Sequence, residues 1–306
     1  MAWHPEHEVE LIAGTPAGGG LDRAARALVK AIDAQALVDV PVKVVNVSGE
    51  GSGKSWDLVD ARPGDPHLLS ISSANLATNY LLGLSEYDHY SFTPLAILYT
   101  EYIAFVTRAG SDIRDARDLL RRLGADPASL KVALSTAAGN PNHIALAQIT
   151  RHAGGDVKAP QVRVFDSALT AVADVMDGHA DVAAITAASA VKELEAGRAV
   201  AIAVTAPERL PGLYASAPTW TELSVDCTIG SWRGISGPRG LTEAHVAYWE
   251  KVLSRAVTAP EWDAELARYF WTPMYLDGAA LRQYLDKESA EMSALLAELG
   301  LARRSL

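Results

Sequence analysis

Short apolar segments alternate with segments of helical periodicity along the first 240 residues of the chain. Each apolar run is four to six residues long, which is typical of a buried strand. These runs predict strands at 9–13, 42–47, 68–72, 103–107, 132–135, 162–165, 182–186 and 200–205. Amphipathic patterns between them predict helices, among them 142–152, 169–176 and 190–196. This alternation predicts an α/β fold.

After Pro238 the pattern changes to long helices at 243–257 and 279–299, with little strand between them. A polar turn at 108–112 suggests one domain boundary, and the segment 230–237, which follows the polar stretch 222–228, suggests a second. We therefore expect a discontinuous α/β lobe made of residues 1–108 and 230–306, and a second α/β lobe made of residues 109–229. Such a two-lobed arrangement predicts a ligand cleft between the lobes, lined by strand-to-helix loops.

A glycine-rich loop follows the first predicted strand and opens an amphipathic helix. It contains Gly18, Gly19 and Gly20 in succession. Backbone amides at a helix N-terminus bind anions without a charged side chain. We expect these glycine amides to bind an anion, and Gly19→Val to block its approach; the alternative is a tight turn without a ligand.

Polar residues follow three other predicted strands in the same way. These segments are Ser72-Ser-Ala-Asn75, Ser135-Thr-Ala-Ala-Gly-Asn-Pro-Asn-His143 and Phe165-Asp-Ser167. Small hydroxyls and amides at a helix start suit a carboxylate. Structural alternatives are an ordinary turn at 72–75, N-caps at Asn142 and Asp166, and a capping or packing role for His143.

The segment Gly51-Ser-Gly-Lys-Ser55 resembles part of a nucleotide-binding P-loop. The full motif requires a glycine where Ser48 stands. No later apolar strand ends in an aspartate that would hold magnesium. A nucleotide-binding enzyme is therefore the alternative function, and a flexible Gly/Ser loop is the preferred interpretation.

Composition and the absence of certain motifs exclude several classes of protein function. The net charge of −10 argues against nucleic acid or an anionic membrane as partner. Cys227 is the only cysteine, so the chain has no intrachain disulfide and no cysteine metal cluster. Motifs for a serine hydrolase elbow, a zinc protease or an acidic metal loop are absent from the sequence. These features predict a binding protein rather than an enzyme, without cofactor or metal.

Several motifs together resemble the solute receptors of tripartite tricarboxylate transporters, the family that includes the Bug receptors. Pro16-Ala-Gly-Gly-Gly-Leu-Asp22 is similar to the family's first loop, and Val45-Asn-Val-Ser-Gly-Glu-Gly-Ser-Gly53 to its second. Gly64-Asp-Pro-His67, Pro207-Glu-Arg-Leu-Pro211, Ser231-Trp-Arg-Gly234 and Glu298-Leu-Gly-Leu301 resemble later motifs of its tricarboxylate-receptor branch.

The resemblance implies a periplasmic binding protein fold of two lobes that closes on a small di- or tricarboxylate. It implies partnership with membrane transporter subunits, a monomeric receptor and a periplasmic location. The first residues, Met1-Ala-Trp-His-Pro5, lack signal-peptide features, so the sequence is either a cytosolic protein or a mature form. A receptor fold acting as a sensory partner is a further alternative.

Carried over by position, the resemblance implies ligand contacts from both lobes. In the first lobe these are Thr15, Ala17, Gly18, Gly19, Gly20, Ser73 and Asn75. In the second they are Ser135, Thr136, Gly139, Asn140, Phe165, Asp166, Ser167 and Thr186. Thr15 stands where many relatives carry an aromatic residue, and Asp166-Ser167 replaces a Lys-Gly or Ser-Gly pair. A carboxylate at position 166 favours a smaller dicarboxylate or an amino acid over citrate, unless it caps its helix or faces away.

Overall fold

The computed structural model describes residues 3–304 and divides them into two compact units. Unit 1 contains the described residues up to Thr100, Trp232–Leu295 and the residues from Ala302 onward. Unit 2 contains Glu101–Ser231 and Leu296–Leu301. Along the chain the unit changes at Thr100/Glu101, Ser231/Trp232, Leu295/Leu296 and Leu301/Ala302.

Ten strands and ten α-helices are assigned within the described residues. The strands are β1 (Val9–Ala13), β2 (Val42–Asn46), β3 (Leu68–Ser73), β4 (Thr93–Arg108), β5 (Lys131–Ser135), β6 (Gln161–Phe165), β7 (Val182–Thr186), β8 (Ala199–Val204), β9 (Gly230–Gly237) and β10 (Thr272–Asp277). The helices are α1 (Gly20–Ala34), α2 (Gly53–Asp60), α3 (Asn75–Leu81), α4 (Ala116–Ala125), α5 (Pro141–His152), α6 (Ala168–Met176), α7 (Val191–Glu195), α8 (Glu243–Ala256), α9 (Pro260–Tyr269) and α10 (Gly278–Glu298).

The sheet of unit 1 has the strand order β2-β1-β3-β9-β4, and β10 pairs with β4. Strands β1, β2 and β3 run parallel, whereas β9 runs antiparallel to β3. The carboxyl ends of the three parallel strands therefore lie at one edge of the sheet, together with the first half of β9. This edge carries the loops that the sequence singled out.

Buried apolar side chains of the strands and of the helices packed on them stabilise this sheet. Leu28 of α1 and Leu11 and Ile12 of β1 are fully buried, which explains the amphipathic pattern of the first helix. Lys30 of α1 also binds Glu265 of α9 at 2.7 Å. Burial of such aliphatic side chains stabilises the fold by about 1.5–3 kcal/mol each. The start of α1 is thereby held on a rigid support.

In unit 2, β5, β6 and β7 are parallel, and the second half of β4 lies between β7 and β8 as their antiparallel neighbour. Phe105 of β4 packs edge-on against the buried Trp220. Cys227 is also buried here, with Sγ 3.9 Å from the carbonyl oxygen of Ala145. The carboxyl ends of β5, β6 and β7 again share one sheet edge.

Three strands differ from the sequence-based prediction. β4 is 16 residues long, although only 103–107 was predicted, because Thr100 and the buried Glu101 interrupt its apolar run. The segment of β9 was interpreted as a domain boundary because it follows the polar stretch 222–228. It is a strand in which a Cβ at Gly234 would collide with the carbonyl oxygen of Ala96 on β4, so the glycine allows close strand packing. β10 and α9 were not predicted.

No helix among the described residues is long and apolar enough to cross a membrane. Residues 3–304 also contain no cluster of three or more histidine, cysteine or acidic side chains that could hold a metal ion.

Candidate ligand-binding site

The glycine loop lies at the carboxyl end of β1 and makes two internal hydrogen bonds. The Gly18 amide donates to Oδ2 of Asp22 at 2.8 Å, and the Gly19 amide donates to the Pro16 carbonyl oxygen at 2.9 Å. Among residues 3–304 no acceptor contacts the amides of Gly20 and Leu21. In this structure the loop itself uses the amides of Gly18 and Gly19, and anion binding by the three glycines stays a prediction.

Asp22 organises this loop. Its carboxylate accepts hydrogen bonds from the side chains of Arg26 (3.0 Å) and Asn46 (2.9 Å) as well as from Gly18. Burial raises the pKa of Asp22, but these hydrogen bonds outweigh it and leave the pKa below its usual value of 3.8. The ionised carboxylate is thus compensated within the protein and fixes the backbone at Gly18.

Thr15 also stabilises the glycine loop. Its Oγ1 accepts a hydrogen bond from the Asp22 amide at 3.3 Å, and its carbonyl oxygen accepts one from Asn46 at 2.9 Å. The side chain is only 3% exposed. In this structure Thr15 positions the start of α1, while Ala17 is exposed at the tip of the loop.

Gly19 and Gly20 differ in what surrounds them. A Cβ at Gly19 would lie 2.7 Å from Oγ1 of Thr15 and 2.9 Å from the Pro16 carbonyl oxygen. A Cβ at Gly20 would meet only Nη2 of Arg233 at 3.8 Å and Nη2 of Arg23 at 3.9 Å, which are ordinary contacts. Gly19→Val would therefore distort the loop, so Gly20 is the better position at which to test ligand approach.

Ser73, Asn75 and Arg233 lie at the same sheet edge of unit 1. Ser73 ends β3, and Asn75 begins α3; both are buried. Arg233 is the register partner of Ser73 on β9 and is 7% exposed. The sequence interpretation did not place Arg233 here, although its motif was noted, because the antiparallel strand that brings it to this edge was taken for a domain boundary.

The loop at 49–53 follows β2 and packs against the glycine loop. Ser52 Oγ donates to the Gly14 carbonyl oxygen at 3.1 Å, and Asn79 Nδ2 donates to the Gly51 carbonyl oxygen at 3.1 Å. A Cβ at Gly14 would be 2.7 Å from Ser52, so the two loops touch closely. Lys54 is exposed, and its stem lies beside Gly49. The segment thus has a packing role in unit 1.

In unit 2 the β5–α5 loop is tied to β6 and to its own helix. The Thr136 amide donates to the Phe165 carbonyl oxygen at 2.7 Å, which brings these two predicted site residues together. Thr136 has φ of 68°, in the left-handed region that a β-branched residue rarely adopts. Backbone strain of this kind is frequent at ligand-binding loops.

Asn140, rather than Asn142, is the N-cap of α5. Its Oδ1 accepts from the His143 amide at 3.2 Å, and its Nδ2 donates to the Ser135 carbonyl oxygen at 2.7 Å. Asn142 instead donates to Ser135 Oγ at 3.1 Å. Nδ1 of His143 accepts from the Gly139 amide at 2.8 Å, and burial lowers the pKa of this imidazole. His143 therefore has the capping and packing role.

Ser167, rather than Asp166, is the N-cap of α6. Its Oγ accepts from the Thr170 amide at 3.2 Å. Asp166 is exposed, and none of the described residues forms a hydrogen bond or ion pair with its carboxylate. Phe165 is half-buried, with the guanidinium of Arg163 5.7 Å from its ring centroid. Thr186 is buried at the end of β7 and lies 3.1 Å from the Ser189 hydroxyl.

One serine–histidine–aspartate arrangement occurs in unit 1. Ser289 Oγ lies 3.2 Å from Nδ1 of His89, whose Nε2 is 3.6 Å from Asp286. Ser289 is 2% exposed and His89 is 6% exposed, so this hydroxyl is not presented to a substrate. The cluster joins α10 to the segment before β4.

The fold and these strand-end loops define a solute-binding receptor of the periplasmic binding protein class. The profile of the "Tripartite tricarboxylate transporter family receptor" matches residues 35–301, and the chain belongs to this family. It is also 25% identical over 261 residues to a protein of Pseudomonas sp. (strain P51), described as "UPF0065 protein in tcbD-tcbE intergenic region", covering 84% of this chain and 76% of that protein. The family consists of solute-binding receptors rather than enzymes, which work in the periplasm with transporter subunits and bind small carboxylates.

Solved structures show the same fold at low sequence identity. The periplasmic binding protein BugD aligns with a TM-score of 0.87 at 18% identity, over 98% of this chain and all (100%) of its own. Rpa4515 of R. palustris, solved with adipate, gives 0.87 at 20% identity over 97% and 99% of the two chains. MatC of Rhodopseudomonas palustris, solved with malate, gives 0.82 at 20% identity over 95% and 99%. The predicted periplasmic binding protein fold is confirmed.

Proposed function

We propose that this protein captures a small organic di- or tricarboxylate in the periplasm and delivers it to the membrane subunits of a tripartite tricarboxylate-type transporter. The observation that carries the proposal is the pair of amides at Gly20 and Leu21, at the start of α1 in a chain of this family. Two adjacent amide donors at the positive end of a helix suit one carboxylate group.

The rigid support of these amides adds to the argument. Asp22, Asn46 and Thr15 fix the loop through hydrogen bonds of 2.8–3.3 Å, so the donors need not be ordered when a ligand binds. Preorganised donors lose less conformational entropy on binding. With a net charge of −10 the molecule repels anions at long range, which makes such local donors necessary.

The ligand class is argued from structures of the same fold that were solved with a ligand. Malate and adipate are the acids in the two liganded relatives. We therefore place small aliphatic dicarboxylates first, ahead of citrate, and expect the receptor to act as a monomer.

A thermal-shift panel tests the function. Wild-type protein is mixed with malate, adipate, succinate, aspartate, citrate and benzoate, and ligand binding raises the melting temperature in proportion to the logarithm of ligand concentration over Kd. Lys54→Ala serves as a control because this exposed side chain has no place in the proposal. If no acid in the panel shifts the melting temperature, the carboxylate proposal fails.

A further inference from the structure

Residues 3–8, which precede β1, pack on unit 1 through aromatic contacts; we call them the N-terminal strap. The ring of Trp3 contacts two rings of α8, with its centroid 4.7 Å from that of His245 and 5.1 Å from that of Tyr248. Pro5 is buried. Aromatic and apolar side chains therefore give the strap a defined position on this unit.

A second attachment of the strap depends on the protonation state of His67, which lies just before β3. The Glu6 amide donates a hydrogen bond to Nε2 of His67 at 3.1 Å. The ring of His7 stacks on the same imidazole, with centroids 3.7 Å apart and planes 20° apart. An imidazole nitrogen that accepts a hydrogen bond carries no proton. The contact with Glu6 therefore requires His67 to be neutral.

Charged and titratable groups from three elements face the ring of His67. Asp65, on the same segment, has Oδ1 3.7 Å from Nδ1 of His67, and it also lies 3.9 Å from the guanidinium of Arg62. The other groups are Glu6 and His7 of the strap and His245 at the start of α8. Because Asp65 interacts with Arg62 as well, it compensates only part of a positive charge on His67.

Proton binding at His67 opposes attachment of the strap. Burial of the ring, followed by the charge of His7, lowers the pKa of His67 below its usual value of 6.5, although Asp65 and Glu6 act in the opposite direction. Release of the strap exposes the ring and removes His7, so the released state binds the proton more tightly. The contribution of this contact is therefore complete above pH 6.5 and is lost as pH falls through the lower pKa of the attached state.

We infer that the N-terminal strap is an acid-sensitive switch: neutral His67 binds it to unit 1, and protonation of Nε2 releases it and uncovers the rings of His245 and Tyr248 on α8. Protonation removes the acceptor of the Glu6 amide and places a positive charge beside the stacked ring of His7. None of these residues belongs to the proposed carboxylate site. The switch is therefore a property of the fold that does not depend on the proposed function.

Hydrogen–deuterium exchange, resolved to single amides by fragmentation in the mass spectrometer, tests the switch without any ligand. The protection factor of the Glu6 amide is measured at pH 7.5 and pH 5.5, each corrected for the intrinsic exchange rate at that pH. We expect the wild type to lose protection by about threefold or more at the lower pH. The amides of β1 should stay protected, which separates local release from global unfolding.

Two variants at position 67 separate the acceptor from the charge. His67→Gln keeps a hydrogen-bond acceptor but does not titrate, so the protection of the Glu6 amide should be the same at both pH values. His67→Arg is a permanent cation without an acceptor, so this amide should be unprotected even at pH 7.5. His152→Gln, at an exposed position of α5 in unit 2, is the matched control and should show the wild-type loss.

Three results would overturn the inference. One is a Glu6 amide that is unprotected at pH 7.5 in the wild type, and another is protection that stays constant between the two pH values. The third is an equal loss of protection in His67→Gln, which would assign the acid sensitivity to another group. If His67→Arg does not fold, the comparison of the wild type with His67→Gln decides. Failure of the carboxylate proposal would leave all these measurements unaffected.

Discussion

At the scale of single residues, Gly18, Gly19 and Gly20 of the glycine loop have different structural roles, although they are identical in the sequence. Gly19 is packed against Thr15, whereas Gly20 leaves open space beside Arg23 and Arg233. Gly18 donates its amide to Asp22. A run of three glycines therefore combines one packing position, one hydrogen-bonded turn position and one position with open space beside it.

Asp22→Asn is predicted to lower the free energy of unfolding by about 1–3 kcal/mol, because a buried ionised acceptor of several hydrogen bonds is lost. Urea unfolding at pH 7 measures this change, and Asp33→Asn, at an exposed position of α1, is the control. The folded-state pKa of Asp22 is depressed, so its contribution is present above pH 3.8 and declines as pH falls through the folded pKa. A difference that persisted undiminished well below that pH would contradict the assignment.

At the scale of secondary-structure elements, the N-caps decide which polar residues are available for binding. Asn140 and Ser167 start α5 and α6, and each side chain satisfies a backbone amide of its helix. Their hydrogen bonds leave Asp166 as an exposed residue between a strand and a helix. The capping role that the sequence offered for Asp166 belongs to its neighbour.

Ser167→Ala is predicted to destabilise the protein by about 0.5–2 kcal/mol through loss of the cap of α6. Asp166→Ala, one residue away, is predicted to change the unfolding free energy by less than about 0.5 kcal/mol, because it is exposed and makes no contact of this kind. Chemical denaturation of the two variants gives the comparison. Equal destabilisation by both changes would show that the cap is assigned to the wrong residue.

Sequence patterns predicted the parallel strands and the long helices well, because periodicity and strand-end glycines are local signals. β1 and β7 match the predicted bounds of 9–13 and 182–186. β9 could not be recognised, since the reason for Gly234 is the carbonyl of Ala96 on a strand 138 residues earlier in the chain. The position of Arg233 at the sheet edge depends on that non-local packing. The hydrogen bonds of the Gly18 and Gly19 amides could not be predicted from the sequence either.

At the scale of the whole molecule, buried ionisable groups make stability depend on pH. Burial raises the pKa of Glu288 on α10 to about 7, although Trp232 donates to its carboxylate at 2.7 Å. The unfolded chain loses this proton near pH 4.5, so between pH 4.5 and about 7 the folded state binds more protons. The contribution of Glu288 to the free energy of unfolding therefore decreases as pH rises through this interval.

Glu288→Gln is predicted to remove that decline. Melting temperatures measured from pH 4.5 to 8 should give a wild-type curve that falls relative to the variant curve as pH increases. Burial lowers the pKa of His89 and His143, which adds stability as pH rises, but both curves share this effect. Parallel curves for the two proteins would contradict a protonated Glu288.

The single cysteine gives this receptor an internal reporter of local opening. Burial raises the pKa of the Cys227 thiol to about 12, so the folded protein presents neither an accessible nor an ionised sulfur to an alkylating reagent. Because there is one thiol per chain, the fraction alkylated counts the molecules in which unit 2 has opened. A bound ligand that contacts the loops of this unit should slow alkylation of Cys227. The decrease in the alkylation rate would then measure ligand affinity without any attached label.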